Sequence, residues 1–143
     1  MAEIVFRNKP LKNKLDRIVH PPVLEYLGRE IASAKKARRT RIVAVEAALL
    51  YEAGAEPLFD YIIAVDAPEK LRIARVLGRD GVGRADVLRR MRAQLSPSEK
   101  SRRADFVILN DDDLPALEKN CRFLFRLLTT LSVRPSGHGK NPV

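Results

Sequence analysis

The chain has 143 residues, a formal net charge of +9 and a sequence pI near 10.1. Its length fits one ordinary domain, and its 45% hydrophobic residues favour a globular chain over a disordered one. No apolar run approaches the roughly 20 residues of a membrane helix, no charged leader precedes an apolar stretch at Met1, and a single cysteine excludes an internal disulfide. We therefore predict a cytoplasmic protein without membrane segments that attracts polyanions.

Two helices separated by prolines are the first predicted elements. Asn8 can cap the first helix, and Pro10 suits its first turn. The segment His20-Pro21-Pro22 should end that helix because proline lacks an amide donor. A second helix should follow over about 23–36. The apolar residues expected to face inward recur at helical spacing: Leu11, Leu15, Ile18, Val19, Val23, Leu24, Leu27, Ile31 and Ala34.

Three apolar segments without strict alternation predict buried strands, over residues 42–47, 60–66 and 105–109. Helical patterns stand between and around them. Strands that alternate with helices indicate an α/β fold with a parallel sheet. We see no domain boundary, so we predict a single domain over 1–133 and a flexible tail over 134–143.

The remaining helices are marked by end signals. Residues 49–53 should form a short helical turn that ends at Gly54. One helix should start at Pro68 and close at Asp80-Gly81, and another should span 85–95. Ser96 and Glu99 have capping-box spacing for a short helix through 104. A last helix over 113–131 should face inward with Leu114, Leu117, Cys121, Leu124, Phe125 and Leu128.

Three arginines form a stripe on the helix that starts at Pro68. Arg72, Arg75 and Arg79 are spaced i, i+3 and i+7, which places them within about 60° of one another. The stripe is either a solvated face paired with Glu69 or Asp80, or a lid that clamps a polyphosphate through guanidinium forks. Spacing alone leaves both interpretations open.

The other polar candidates also have two interpretations. His20 either donates to a ligand phosphate or closes a helix end, and Glu46 either faces a ligand crevice or finds a partner at its strand's end. The triplet 111–113 is explained by helix capping. Residues 78–84 are Gly-rich but follow a helix and lack Lys-Ser/Thr, so they are not a Walker A loop. The two histidines and one cysteine have no metal-site spacing.

Together these residues resemble the dephospho-CoA kinase family over roughly residues 3–130. No single motif is decisive, but their order and spacing match the family pattern. The matching positions are Val5-Phe6, Pro10, Leu15, Ile18, His20-Pro21, Val23, Ala48 to Gly54, Ala64 to Leu71, Arg75, Arg79 to Gly81, Gln94, Glu99-Lys100, Ala104-Asp105 and Val107 to Asn110.

The resemblance implies a P-loop nucleotide-kinase-like sheet of order 2-3-1-4-5, in which the three predicted strands would be strands 3, 4 and 5. Residues 3–40 would be a helical segment on the CoA side, and 72–104 an arginine-rich lid. It also implies phosphoryl transfer from ATP, with Mg²⁺, to the ribose 3′-hydroxyl of dephospho-CoA. The implied contacts are phosphate for Arg75 and Arg79, nucleotide for Asn110 and Lys100, and substrate for His20, Glu46, Tyr51 and Glu52.

The sequence also departs from the family. Its 143 residues contain neither the first strand, nor the Walker A loop, nor the catalytic aspartate, and Ala48, Glu46 and Asp112 replace a proline, an aspartate and a glycine. We therefore expect no catalysis by the chain alone, and either self-association or an N-terminal partner chain at the incomplete sheet. The alternative is a basic nucleic-acid-binding module, which fits the charge but lacks a recognition motif and has few aromatic residues.

Overall fold

The computed structural model describes residues 8–37 and 42–132. A short 3₁₀ turn lies at Glu56–Leu58. The regular elements, in chain order, are α1 (Lys9–Lys36), β1 (Ile63–Asp66), α2 (Glu69–Asp80), α3 (Arg84–Arg92), α4 (Pro97–Arg103), β2 (Phe106–Leu109) and α5 (Leu114–Leu131).

The sheet consists of β1 and β2, which run parallel with Ile63 opposite Phe106 and Asp66 opposite Leu109. The helices α2, α3 and α4 make the crossover between them, so the predicted α/β fold with a parallel sheet is confirmed. The predicted strand over 42–47 is wrong: in the described ranges this segment joins no ladder. Its β-branched composition favours extended backbone, but a strand also needs a neighbour's amide and carbonyl groups.

The predicted break at His20-Pro21-Pro22 is also wrong, because α1 is a single helix of 28 residues with both prolines inside it. Each proline removes one amide donor, but the φ angle that its ring fixes is compatible with a helix, and the turns on either side continue. The predicted cap is confirmed, since Asn8 Oδ1 accepts the Leu11 amide at 3.1 Å.

Three further helix ends agree with the sequence signals. Gly81 closes α2 in the left-handed conformation, with φ 63°, and α3 begins three residues later at Arg84. Ser96 Oγ accepts the Glu99 amide at 3.2 Å, and Asp113 Oδ1 accepts the Ala116 amide at 2.9 Å. Residues 49–53, predicted as helical, form turns that end at Gly54, whose φ is 66°.

The core is small and lies around the sheet and the crossover helices. The buried hydrophobic residues among those described are Ala55, Ile73, Val87, Ile108 and Leu124. Several residues predicted to face inward are exposed instead, including Ile18 at 63% on α1 and Phe125 at 60% on α5. Periodicity identifies the apolar face of a helix, but burial requires a neighbour, and α1 contributes no residue to the core. Within the described ranges, no helix is long and apolar enough to cross a membrane.

Candidate functional site

An open cleft of about 450 Å³ lies where β1 ends and α2 and α3 face it. Its volume is within the usual range for small-molecule sites. The carboxyl ends of parallel strands are the common place for ligands in such sheets. The polar and charged residues that line the cleft are Asp66, Arg72, Arg75, Arg79, Asp80, Arg90, Gln94 and Asn110.

Two of the cleft arginines tie α2 to the ends of the strands. Arg72 Nε donates to the carbonyl of Ala67 at 2.9 Å, directly after β1. Arg75 Nη1 donates to the carbonyl of Asn110 at 2.8 Å, directly after β2. Neither contact neutralises a guanidinium, because both acceptors are main-chain carbonyls. The strand ends therefore hold two full positive charges beside the cleft.

The other two cleft arginines share one carboxylate. Arg79 Nε donates to Asp80 Oδ1 at 2.7 Å, and Arg90 Nη1 lies 3.6 Å from Asp80 Oδ2. The hydrogen bond from Arg79 holds the pKa of Asp80 below its ordinary value. The same hydrogen bond and the charge of Asp80 raise the pKa of Arg79, with a smaller contribution from Glu46. The cleft therefore carries more guanidinium than carboxylate groups, which suits a polyanionic ligand.

A second cluster connects the 48–56 loop to α4. Glu52 Oε1 accepts the Leu95 amide at 2.8 Å and lies 3.2 Å from Lys100 Nζ, which also donates to the carbonyl of Ala48 at 2.8 Å. The guanidinium of Arg103 stacks over the ring of Tyr51, 4.3 Å from its centroid. These contacts hold the loop against α4 and against Leu95, which precedes it.

The ionisable groups of this cluster are shifted by burial and by their partners. Burial alone would raise the pKa of Glu52. The hydrogen bond from the Leu95 amide and the charge of Lys100 lower this pKa by more than burial raises it, so the net shift is downward. Burial raises the pKa of Tyr51 despite the opposing charge of Arg103. Glu52 Oε2 is buried and has no hydrogen-bond partner among the described residues.

The structure brings together some of the site residues predicted from the sequence and separates others. Arg75, Arg79 and the backbone of Asn110 meet at the cleft. Tyr51, Glu52 and Lys100 form the loop cluster instead. Two predicted residues line neither group. His20 is on α1, 3.8 Å from Asp16, and Glu46 is in the exposed segment before the loop, where its charge still contributes to the raised pKa of Arg79.

Sequence reasoning missed Arg90, and Asp80 was not among its site candidates. No sequence spacing connects Arg90 to the stripe on α2, because the two helices are brought together by the turn at Gly81. The available signal was the Asp-Gly pair that closes α2, followed by an arginine-rich helix. Among the described residues, no group of three or more His, Cys, Asp or Glu side chains could hold a metal ion.

Comparisons with known proteins agree with the sequence resemblance. The family model for dephospho-CoA kinase matches residues 1–116. The dephospho-CoA kinase of Bacillus licheniformis is 37% identical over 92% of this chain and 64% of its own length, and that of Deinococcus radiodurans is 39% identical over 82% and 56%. The chain thus spans less than two thirds of these relatives.

Solved structures show the same likeness. A Thermus thermophilus protein is 33% identical, with a TM-score of 0.67, over 89% of this chain and 64% of its own. The dephospho-CoA kinase of Campylobacter jejuni is 25% identical, with a TM-score of 0.61, over 92% and 65%.

Proposed function

Because the chain belongs to the dephospho-CoA kinase family, we propose that it takes part in moving the γ-phosphoryl group of ATP to the ribose 3′-hydroxyl of dephospho-CoA. The observation that carries this proposal is the cleft, where four arginines from α2 and α3 surround about 450 Å³ at the strand ends. Guanidinium forks match phosphate oxygens and stabilise charge that develops during phosphoryl transfer.

In this proposal the cleft binds the phosphates of the nucleotide. Arg79 is mostly exposed, at 76% of its side chain, and can reach a ligand without leaving a packed position. Arg75 already contacts the backbone of Asn110, so the nucleotide contact predicted for Asn110 would lie next to the phosphates. The substrate contacts predicted for His20, Glu46, Tyr51 and Glu52, and the nucleotide contact of Lys100, stay predictions.

The Mg²⁺ of the family reaction fits this arrangement only in part. Mg²⁺ in phosphoryl-transfer sites takes one or two protein carboxylates and completes its shell with water and phosphate oxygens. Asp66 and Asp80 are the carboxylates that line the cleft, and both oxygens of Asp80 already face guanidiniums, so Asp66 is the residue that would hold the ion. When bound, the ion would neutralise charge on the phosphates, while the arginines of this chain bind and orient them.

The reaction also needs a group that cradles the β- and γ-phosphates, and the 143 residues contain no Walker A pattern. We also propose that another polypeptide, or a second copy of the chain, pairs with the edge of the described sheet. Both strands of the described sheet have an unpaired edge, and Val65 and Leu109 are 62% and 55% exposed. Apolar strands with open edges readily pair with another chain.

Calorimetric titration with ATP tests the cleft. Arg79→Ala should weaken binding about tenfold or more, because a hydrogen bond to a charged group is worth roughly 1.5–3 kcal/mol. The matched control is Arg102→Ala, since Arg102 pairs with Glu99 on α4 and does not line the cleft. Equal losses in the two variants would show that only net charge matters and would overturn the proposal.

Two further measurements test catalysis by the chain alone and the alternative function of nucleic-acid binding. The chain alone, with ATP, Mg²⁺ and dephospho-CoA, should form CoA no faster than a blank; turnover that disappears in Arg79→Ala would contradict this expectation. A salt titration with RNA and DNA tests the nucleic-acid alternative. Binding to nucleic acid that is tighter than binding to ATP or dephospho-CoA would favour that alternative.

A further inference from the structure

Asp80 binds one defined side of the guanidinium of Arg79, an exposed arginine that lines the cleft. Asp80 Oδ1 accepts from Arg79 Nε at 2.7 Å, and Asp80 Oδ2 lies 3.4 Å from Arg79 Nη2. This is the side-on arrangement of a carboxylate and a guanidinium, which uses Nε and one Nη2 hydrogen. A guanidinium has five N–H donors, so the end that carries Nη1 and the second Nη2 hydrogen stays available for another anion.

The same carboxylate also reaches the neighbouring helix. Asp80 is the last residue of α2, and its Oδ2 lies 3.6 Å from Arg90 Nη1 on α3. Asp80 therefore hydrogen-bonds the guanidinium of Arg79 and lies within ion-pair distance of the guanidinium of Arg90. Arg75 is held separately, by its hydrogen bond to the Asn110 carbonyl.

We propose that Asp80 is a positioning residue, which binds the side-on face of Arg79 so that its end-on face is presented to the phosphates in the cleft. The inference rests on the proposed function, because it assumes that the cleft binds phosphates. Each group stabilises the charged form of the other, because the pKa of Arg79 is raised and the pKa of Asp80 is lowered.

The direction in which Asp80→Asn changes the affinity for an anion distinguishes a positioning role from a purely electrostatic one. If Asp80 were only a nearby negative charge, Asp80→Asn would strengthen anion binding about fivefold, because it removes a charge that repels the anion. If Asp80 positions Arg79, the same change should weaken binding, because the asparagine amide presents N–H groups to the guanidinium. Because contacting residues usually couple in such measurements, we expect a loss of about tenfold.

The experiment is a double-mutant cycle measured by calorimetric titration of inorganic tripolyphosphate at low salt. Asp80→Asn should weaken binding in the wild-type background and should no longer weaken it in the Arg79→Ala background. Asp80→Glu should recover part of the affinity because it keeps the carboxylate. The control is Glu99→Gln, which makes the same change in net charge on α4 and should leave the affinity unchanged.

Each outcome has a separate meaning. Tighter binding by Asp80→Asn, or an equal loss with and without Arg79, overturns the positioning role while the cleft proposal survives. Tripolyphosphate binding that is identical in wild type and Arg79→Ala overturns the proposed function, and the inference with it. An unchanged thermal midpoint in Asp80→Asn, expected for this exposed pair, shows that a loss of affinity is not a loss of fold.

Discussion

The helix α1 and the segment from 69 to 104 differ in how they are held, although both are rich in regularly spaced apolar residues. In the second segment, Ile73 and Val87 are only 2% exposed. On α1, Leu11 is 43% and Ile18 63% exposed, and no α1 residue joins the core. The same periodicity thus leads to packing in one region and to an open apolar face in the other.

Polar contacts follow the same division. The segment from 69 to 104 is tied to distant parts of the chain, by Arg75 to the Asn110 carbonyl and by the Leu95 amide to Glu52. The described ion pairs of α1 are all within the helix at i, i+4 spacing, such as Lys12 with Asp16. Local pairs stabilise a helix by only a few tenths of a kcal/mol and do not position it. The candidate site is therefore on the part of the chain with long-range contacts.

The largest expected effect on stability compares isoleucine-to-alanine substitutions in the packed segment and on α1. Ile73→Ala should lower the free energy of unfolding by about 2–5 kcal/mol, because it removes a buried side chain and leaves a cavity. Ile18→Ala, at an exposed position, should change it by no more than about 0.5 kcal/mol. Urea unfolding followed by circular dichroism measures both. Similar losses at the two positions would show that the α1 face is buried in solution.

The next effect concerns the cluster that connects the 48–56 loop to α4. Glu52→Ala should cost about 1–3 kcal/mol, because the Leu95 amide and Lys100 lose the acceptor they share. Glu52→Gln keeps an oxygen for the Leu95 amide and should cost less. The two variants are compared by urea unfolding under the same conditions. A larger loss in Glu52→Gln than in Glu52→Ala would contradict the role of this acceptor.

A smaller effect should appear as the pH falls. The folded pKa of Glu52 lies below its ordinary value of 4.5, so the unfolded chain takes up a proton first on acidification. The stabilisation from this carboxylate is therefore complete well above pH 4.5 and is lost as the pH falls through the folded pKa. The stability difference between wild type and Glu52→Gln, which cannot titrate, should shrink between pH 6 and pH 3. A difference that is constant over this range would contradict the downward shift.

Local signals in the sequence predicted the elements held by local chemistry. The caps at Asn8, Ser96 and Asp113 and the stop at Gly81 depend on a few neighbouring residues, and the structure confirms all four. Predictions that depend on a distant neighbour were less successful. The segment 42–47 has the composition of a strand but no partner in the described sheet, and apolar spacing on α1 did not give burial.

The candidate site shows the same limit. The stripe of Arg72, Arg75 and Arg79 was visible because all three are on one helix. The contribution of Arg90 depends on how α3 folds back after Gly81, which no spacing in the sequence specifies. Likewise, Glu52 was predicted from the family motif, but its contacts with Leu95 and Lys100 bridge more than 40 positions of the chain.

A substitution on the apolar face of α1 should have the smallest effect on stability. Its expected effect is on self-association. Ile18→Asp introduces a charge at an exposed position and should alter the free energy of unfolding of one chain by no more than about 0.5 kcal/mol. If the face is covered by another copy, however, the charge would be buried against apolar side chains, which is costly.

We expect the wild-type chain to sediment as an associated species at low micromolar concentration and Ile18→Asp to shift it toward the monomer. Asn13→Asp makes the same change in charge on a different face of α1 and should leave the association unchanged. A wild-type chain that sediments as a single monomer and unfolds cooperatively would show that the open face and the unpaired strand edges are stable in water, and that the argument for a partner is wrong.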